Sequence, residues 1–231
     1  KYTSPIALIS IKKGSIKVSL PDKELDHSQG LRHKTLVSYL EHLLKVQALP
    51  NMDFLLLLQD GYTSEEIIKP NVPVFAFTKP QNNKDFVLIP DGHSLRSLSQ
   101  HGYASYTWKK DFYDVLKQKK QLSWSKTIPK IMWRGRLSDS MEKYNKINFS
   151  KFPRGKLLLL SRENKNLIDA KATYGKYQLM QELEALRMVD RKFTPKEKQL
   201  HYRYHLVLDG VTCTYPGLHW RLLSNGVVIK Q

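Results

Sequence analysis

YRYHLVLDGVTCTYPGLHWRLLSNGVVIKQ, residues 202–231, reads as a strand, a small-residue loop, a short helix and the opening of another strand. A β-loop-helix unit of this kind turns backbone N–H groups, and any nearby arginine, toward a place where a phosphate can sit. The loop Asp209, Gly210, Val211, Thr212, Cys213, Thr214 offers such N–H groups together with hydroxyls, and Arg221 on the following helix can reach the same ligand. The loop follows neither the GxGxxG nor the GxxxxGK[ST] pattern, so it is neither of those nucleotide loops, and an ordinary hairpin-like loop stands as the alternative reading. His201 and His205 form an HxxxH pair, but on a strand with Tyr202, Tyr204 and Leu206 alternating between them. Four strand steps separate the two imidazoles by roughly 13 Å, too far for one metal ion.

Upstream, IMWRGR (131–136) ends a second strand with Arg134 and Arg136 on either side of Gly135. Guanidinium groups fork onto phosphate oxygens through paired, charge-assisted hydrogen bonds, and a glycine between them permits close backbone approach. A solvated basic turn is the alternative. Two cationic loops of this kind on one chain can hold a diphosphate.

The remaining sequence alternates strand and helix patterns. Ile6–Ile11 and Ser15–Leu20 read as short strands around Lys13-Gly14. Leu36, Val37, Leu40, Leu43 and Leu44 mark one face of a helix that Pro50 ends. MDFLLLL (52–58) is short and almost wholly apolar, the pattern of a strand buried on both faces. Val72–Phe77 and Phe86–Ile89 are further strands. Trp108–Lys120 is a basic amphipathic helix with Phe112, Val115 and Leu116 inward. Gly155–Arg162 is a helix, Leu167–Ala170 a strand, and Tyr177–Leu186 a helix with Met180, Leu183 and Leu186 inward. The pattern predicts an α/β protein with mainly parallel sheets. Ser123–Pro129 reads as a link, giving domains of 1–122 and 123–231. The chain opens at Lys1 and closes inside the apolar run Val227–Ile229, so it reads as a fragment whose second half is incomplete.

The chain has 231 residues, 41% of them hydrophobic, and a formal net charge of +17. Such a balance favours polyanionic partners: nucleic acid, an anionic membrane face or phosphorylated glycans. A single cysteine excludes an internal disulfide and fits a reducing compartment. No apolar run approaches the ~20 residues of a membrane span. Lys109–Lys156 interleaves cations with Trp108, Phe112, Tyr113, Trp124 and Trp133, which leaves a non-catalytic module binding single-stranded nucleic acid as the rival class. Asp60 closes the apolar strand in LQDG (58–61). It is either a turn aspartate or, at the carboxyl end of a strand in an open α/β sheet, a general base. There is no Asp-x-Asp triplet, the usual carboxylate pair for a divalent ion on a nucleotide sugar.

Five stretches in order resemble glycosyltransferase family 90: LPNMDF (49–54) with Gln59-Asp60; VPVFAFTK (72–79); MWRGR (132–136); LLLSR (158–162) through LIDA (167–170); and the closing block 204–230. That family includes bacterial lipopolysaccharide core glycosyltransferases, fungal capsule-associated proteins and animal protein O-glucosyltransferases. The resemblance implies a GT-B-like pair of Rossmann-like halves, with the donor held mainly by the second. It implies a UDP-sugar donor carrying glucose or xylose, inversion at the anomeric carbon, and no cofactor or metal. It implies Asp60 as catalytic base, Arg134 on the donor diphosphate, Gly210–Tyr215 lining the nucleotide and an arginine beyond, here Arg221. Gly135, Arg136 and Asp209 complete the expected donor site. Tyr215-Pro216-Gly217 lengthens the loop relative to the animal proteins, which leaves another cation as the alternative to Arg221. The animal members' segment for a folded protein acceptor has no counterpart around Gly92–Tyr106 and their cysteines are absent, and both differences favour the bacterial branch. The expected acceptor is then a glycan, lipopolysaccharide core, reached from the cytoplasm at an anionic inner-membrane surface, with no nucleic acid partner.

Overall fold

The computed structural model describes residues 6–20, 24–25, 27–58, 72–79, 83–90, 114–117, 122–137, 148–174, 177–192, 194–210 and 216–231. The chain forms two compact units, Lys1–Trp108 and Lys109–Gln231. The turn of helix at 114–117 belongs to the second because Val115 packs on Leu200 and Trp220. Its neighbour Leu116, expected inward, is exposed. No described helix is long and apolar enough to cross a membrane.

In the first unit, strands β1 (Ile6–Lys12) and β2 (Ser15–Ser19) form a hairpin closed by Lys13 and Gly14, both with positive φ (49° and 76°). Two left-handed residues make the turn whose twist matches that of the flanking strands. Lys13 occupies this conformation with its N–H bonded to Asn51 Oδ1 at 2.8 Å. Helix α1 (His27–Val46) then leads to β3 (Met52–Leu57), followed by β4 (Val74–Ala76) and β5 (Phe86–Leu88), in the sheet order β2-β1-β3-β4-β5. β3, β4 and β5 are parallel, but β1 is antiparallel to both β2 and β3. The expectation of mainly parallel sheets holds for β3 to β5, and β1 with its hairpin partner is the exception, since a two-residue turn joins only antiparallel strands.

β3 is buried on both faces. Phe54 and Leu56 pack with Ala7, Ile9, Ile11 and Leu36 on one side. Leu57 packs with Val74, Ala76 and Phe86 on the other. Side chains alternate across a strand, so only an unbroken apolar run satisfies both layers.

In the second unit every pairing is parallel, in the order β7-β6-β8-β9, with β6 Ile128–Arg136, β7 Ile168–Tyr174, β8 Tyr202–Val207 and β9 Val227–Lys230. Helices α2 (Pro153–Glu163), α3 (Tyr177–Ala185) and α4 (Pro216–Leu222) lie between the strands in the chain. Leu157 and Leu158 of α2 and Leu179 and Leu183 of α3 close over Trp133, Ala170, Ala172 and Met188. Burying each such large side chain contributes about 1.5–3 kcal/mol. Ser161 ties helix to sheet, accepting the Ala170 N–H at 2.9 Å and donating to Ile168 O at 3.1 Å. A Cβ on Gly155 would stand 1.7 Å from the carbonyl oxygen of Phe149, so only glycine lets the first turn of α2 sit against that backbone. Leu186, expected inward, is exposed because α3 ends at Ala185 and the chain reverses at Arg187 (φ 59°). The fold is mixed α/β, with one wholly and one partly parallel sheet.

Candidate active site

In parallel sheets ligands gather beyond the carboxyl ends of the strands. In the second unit that edge is formed by Arg136 at the end of β6 and by Leu208, Asp209 and Gly210 after β8. Arg154, in the first turn of α2 and 8% exposed, binds both strand ends. Its Nη1 donates to Arg136 O at 2.7 Å and its Nη2 to Leu208 O at 3.0 Å, with the guanidinium 5.8 Å from the centre of the Trp133 ring. Nothing in the sequence singles Arg154 out from its basic surroundings. Its importance lies in two carbonyls distant along the chain.

Arg136 is exposed at this edge. Gly135 has a local reason to be glycine: a Cβ there would stand 2.6 Å from Cζ2 of Trp133, whose indole folds over the position. Asp209 accepts from Lys230 Nζ at 2.6 Å. Val211, Thr212, Cys213, Thr214 and Tyr215 lie outside the described residues, as does Asp60. The chain just before Asp60 is anchored, with Leu58 fully buried and its carbonyl accepting from Arg32 Nη1 at 2.7 Å.

Arg134, expected on a diphosphate, is held on carboxylates. Its Nε donates to Asp190 Oδ2 at 2.9 Å, its Nη2 lies 3.0 Å from Asp169 Oδ1, and its Nη1 donates to the carbonyls of Trp133 and Asp169. Tyr202 donates its hydroxyl to Asp169 Oδ2 at 2.5 Å, and Thr194 donates to Asp190. Burial, reinforced by Asp169, pushes the Tyr202 phenol up to about 12.

Arg221 lies on α4, the helix that follows β8 in the chain. It is 7% exposed, donates from Nη1 to Gly217 O at 2.6 Å and from Nη2 to Gln199 Oε1 at 3.2 Å, and lies 4.3 Å from the centre of the Trp220 ring. Among the described residues its Nε has no partner and no carboxylate pairs with it. Burial alone pushes it down to about 10. A buried cation without a counter-charge is costly, which makes it a candidate for an anionic ligand.

His205 sits beside it, wholly buried, edge-on to Trp220 with ring centres 5.8 Å apart, and neither ring nitrogen has a hydrogen-bond partner among the described residues. A Cβ on Gly226 would stand 2.5 Å from its Cδ2, so glycine at that position makes room for the imidazole. Burial, then the Arg221 charge, lowers its pKa to about 4; the Tyr202 backbone opposes the shift weakly, outside hydrogen-bonding geometry. The folded pKa lies below the unfolded value, so the unfolded chain takes up the proton first on acidification. The stability held by the neutral ring is complete above about pH 6.5 and falls by up to about 3 kcal/mol toward pH 4. Urea unfolding of His205→Leu at pH 7 and pH 4.5 should show a flatter pH dependence than wild type. Equal slopes would remove His205 as the cause.

The sequence profile of glycosyl transferase family 90 matches residues 22–231. The chain belongs to glycosyl transferase family 90. None of the curated proteins compared with it matches. Membership in family 90 makes the protein a glycosyltransferase, with a sugar donor and a glycan acceptor in general terms.

Proposed function

We propose that this family 90 protein transfers a sugar of the glucose or xylose class from UDP to a hydroxyl of a glycan, with inversion and without a metal ion. The observation that carries the reading is Arg221, a buried guanidinium on α4 with no carboxylate partner among the described residues. Arg136, Arg221 and the N–H groups of Gly210–Thr214 receive the diphosphate. Arg154 positions this edge by holding the carbonyls of Arg136 and Leu208. In this reading Arg134 orders β6 against β7 and positions the edge from behind.

The first unit supplies the base. Asp60 takes the proton of the acceptor hydroxyl as its oxygen bonds to the anomeric carbon, and the bond from that carbon to UDP breaks with its electron pair leaving on the diphosphate. Fixed cations and amides stabilise the growing charge. At ~4 Å and an effective dielectric near 20, one charge pair contributes on the order of 4 kcal/mol, so two arginines suffice in place of a divalent ion. This work would be shared by two Rossmann-like units of GT-B type. The net charge of +17 fits a phosphorylated acceptor such as lipopolysaccharide core and a peripheral position at an anionic inner-membrane surface.

The test is thermal and chemical stabilisation by UDP and UDP-glucose with EDTA present. At a UDP concentration about a hundred times Kd the expected gain is about 2.7 kcal/mol. No gain from any uridine nucleotide, together with tight and salt-sensitive oligonucleotide binding, would favour the nucleic-acid module instead.

A further inference from the structure

The second unit carries a cavity of about 350 Å³ at the opposite end of its sheet, where the strands begin. Lys130 and Arg136 lie on the same strand β6, so the Lys130 end of the cavity stands roughly 20 Å from the strand-end edge, and Lys171, in register with Arg134, is its nearest part to that edge. Five cations line the cavity: Lys130, Arg162, Lys165, Lys171 and Arg187. Asp169 is the single acid among its described lining residues, and it already receives Arg134 and Tyr202.

Two features separate this cluster from an ordinary basic surface. The first is charge. The ends of α2 and α3 meet here, and each helix C-terminus carries roughly half a negative charge. Those ends and Asp169 leave most of the five positive charges uncompensated. Lys130 Nζ donates to the carbonyl of Lys165 at 2.8 Å, and Lys171 acts through space on Asp190. The side chains of Arg162, Lys165 and Arg187 form no hydrogen bond or ion pair with described residues.

The second feature is backbone strain. Arg187 occupies the left-handed position (φ 59°) that closes α3: its N–H bonds to Glu184 O, and the Met188 N–H bonds to Leu183 O. This is the helix ending in which glycine is favoured, since a Cβ is unfavourable there. The chain accepts that strain and places a guanidinium on the cavity. Strain of this kind collects at sites where a side chain has work to do.

We propose that this cavity is a second anion site, for a phosphate or diphosphate group, independent of the donor edge. Its volume suits one such group with its water and lies at the small end of ligand pockets, which begin at about 300 Å³. Lys130, Arg162, Lys165 and Arg187 bind the oxygens, Lys171 adds field, and the apolar floor of Leu158 and Met188 limits hydration.

Inorganic pyrophosphate is the probe, titrated calorimetrically into the full chain at fixed ionic strength. Wild type should bind it and gain thermal stability beyond an equal ionic strength of chloride. Arg162→Gln/Lys165→Gln should bind about tenfold more weakly, since charge-assisted contacts are lost. Its Tm without pyrophosphate should hold or rise, because like charges are relieved. A role confined to capping the helix ends predicts a lower Tm and no pyrophosphate effect in wild type, and that result would overturn the site. Arg187→Gly relaxes the strained backbone, so it remains a foldable second variant, with the same expected loss of pyrophosphate affinity. Both variants should keep the wild-type response to UDP. A parallel loss of UDP binding would show pyrophosphate reading the donor edge and would sink the proposal. Phosphatidylglycerol vesicles separate the sources. Vesicle binding weakened by the cavity variants assigns the phosphate to a lipid headgroup, and vesicle binding absent in wild type assigns it to a soluble ligand.

Discussion

Arg134→Met should destabilise the second unit by about 3–5 kcal/mol, the range for breaking a buried ion pair by removing one partner. The Arg134 side chain is 9% exposed, and its carboxylate partners Asp169 and Asp190 are 23% and 18% exposed. Methionine fills a similar volume, so the loss is electrostatic rather than a cavity. Two carboxylates then remain with the hydroxyls of Tyr202 and Thr194 as their side-chain donors among the described residues. The pH dependence should flatten with the mutation. In the wild type, burial pushes the Asp190 carboxyl up, but the Thr194 hydroxyl and the Arg134 guanidinium outweigh it and hold the group below its usual range. A depressed folded pKa stabilises the protein above the ordinary carboxylate pKa, and that stability is lost as the pH falls through the lower folded value. Without Arg134 only the Thr194 hydroxyl and the Lys171 charge oppose burial, so the folded pKa moves up toward the unfolded one and less stability is lost on acidification. Urea unfolding at pH 7 and pH 5 reads both effects. A variant within about 1 kcal/mol of wild type at pH 7, the size of an exposed pair, would show that the pairing carries little. If UDP stabilisation vanished at the same time, Arg134 would belong on the diphosphate after all.

The elements legible in the sequence are those whose cause is local. The run at 52–58 could satisfy two core layers only as a doubly buried strand, and the residues of β3 divide between those layers as the alternation requires. The order strand, loop, helix, strand after Tyr202 follows from turn formers and period, and it stands in the structure apart from the loop residues outside the description. Parallel pairing was legible for the second unit because helices separate its strands, whereas the direction of β1 depends on Lys13 accepting a left-handed conformation. Leu186 falls on the inward period of α3, yet Arg187 ends the helix, and a period cannot foresee its own end.

The site was less legible because its determinants are partners far along the chain. MWRGR displays two arginines and not the acids at 169 and 190 that claim the first of them. Arg154 looks like one basic residue among many until Arg136 and Leu208 turn their carbonyls toward it. His205 drew notice as half of an HxxxH pair, when its neighbours in space are Trp220, Arg221 and the gap left by Gly226.

Asp60→Asn should lower turnover about 10²- to 10⁴-fold, the usual contribution of a positioned general base. The substitution keeps the shape and the hydrogen-bonding reach of the side chain and removes its basicity. It should therefore leave unfolding and UDP stabilisation unchanged, since in the proposed arrangement the donor diphosphate rests on the second unit. The placement of the position depends on what precedes it: Phe54 and Leu56 fix β3 in the core, and Arg32 holds the Leu58 carbonyl. Arg32→Met offers an independent check of the same idea. It leaves the carboxylate intact but frees the chain that presents it, so kcat should fall while UDP binding holds. A kcat that depends on a base also falls as that base protonates, and this limb of the pH profile should disappear in Asp60→Asn. Near-normal transfer by a folded Asp60→Asn protein, with the acidic limb retained, would assign the proton to another group.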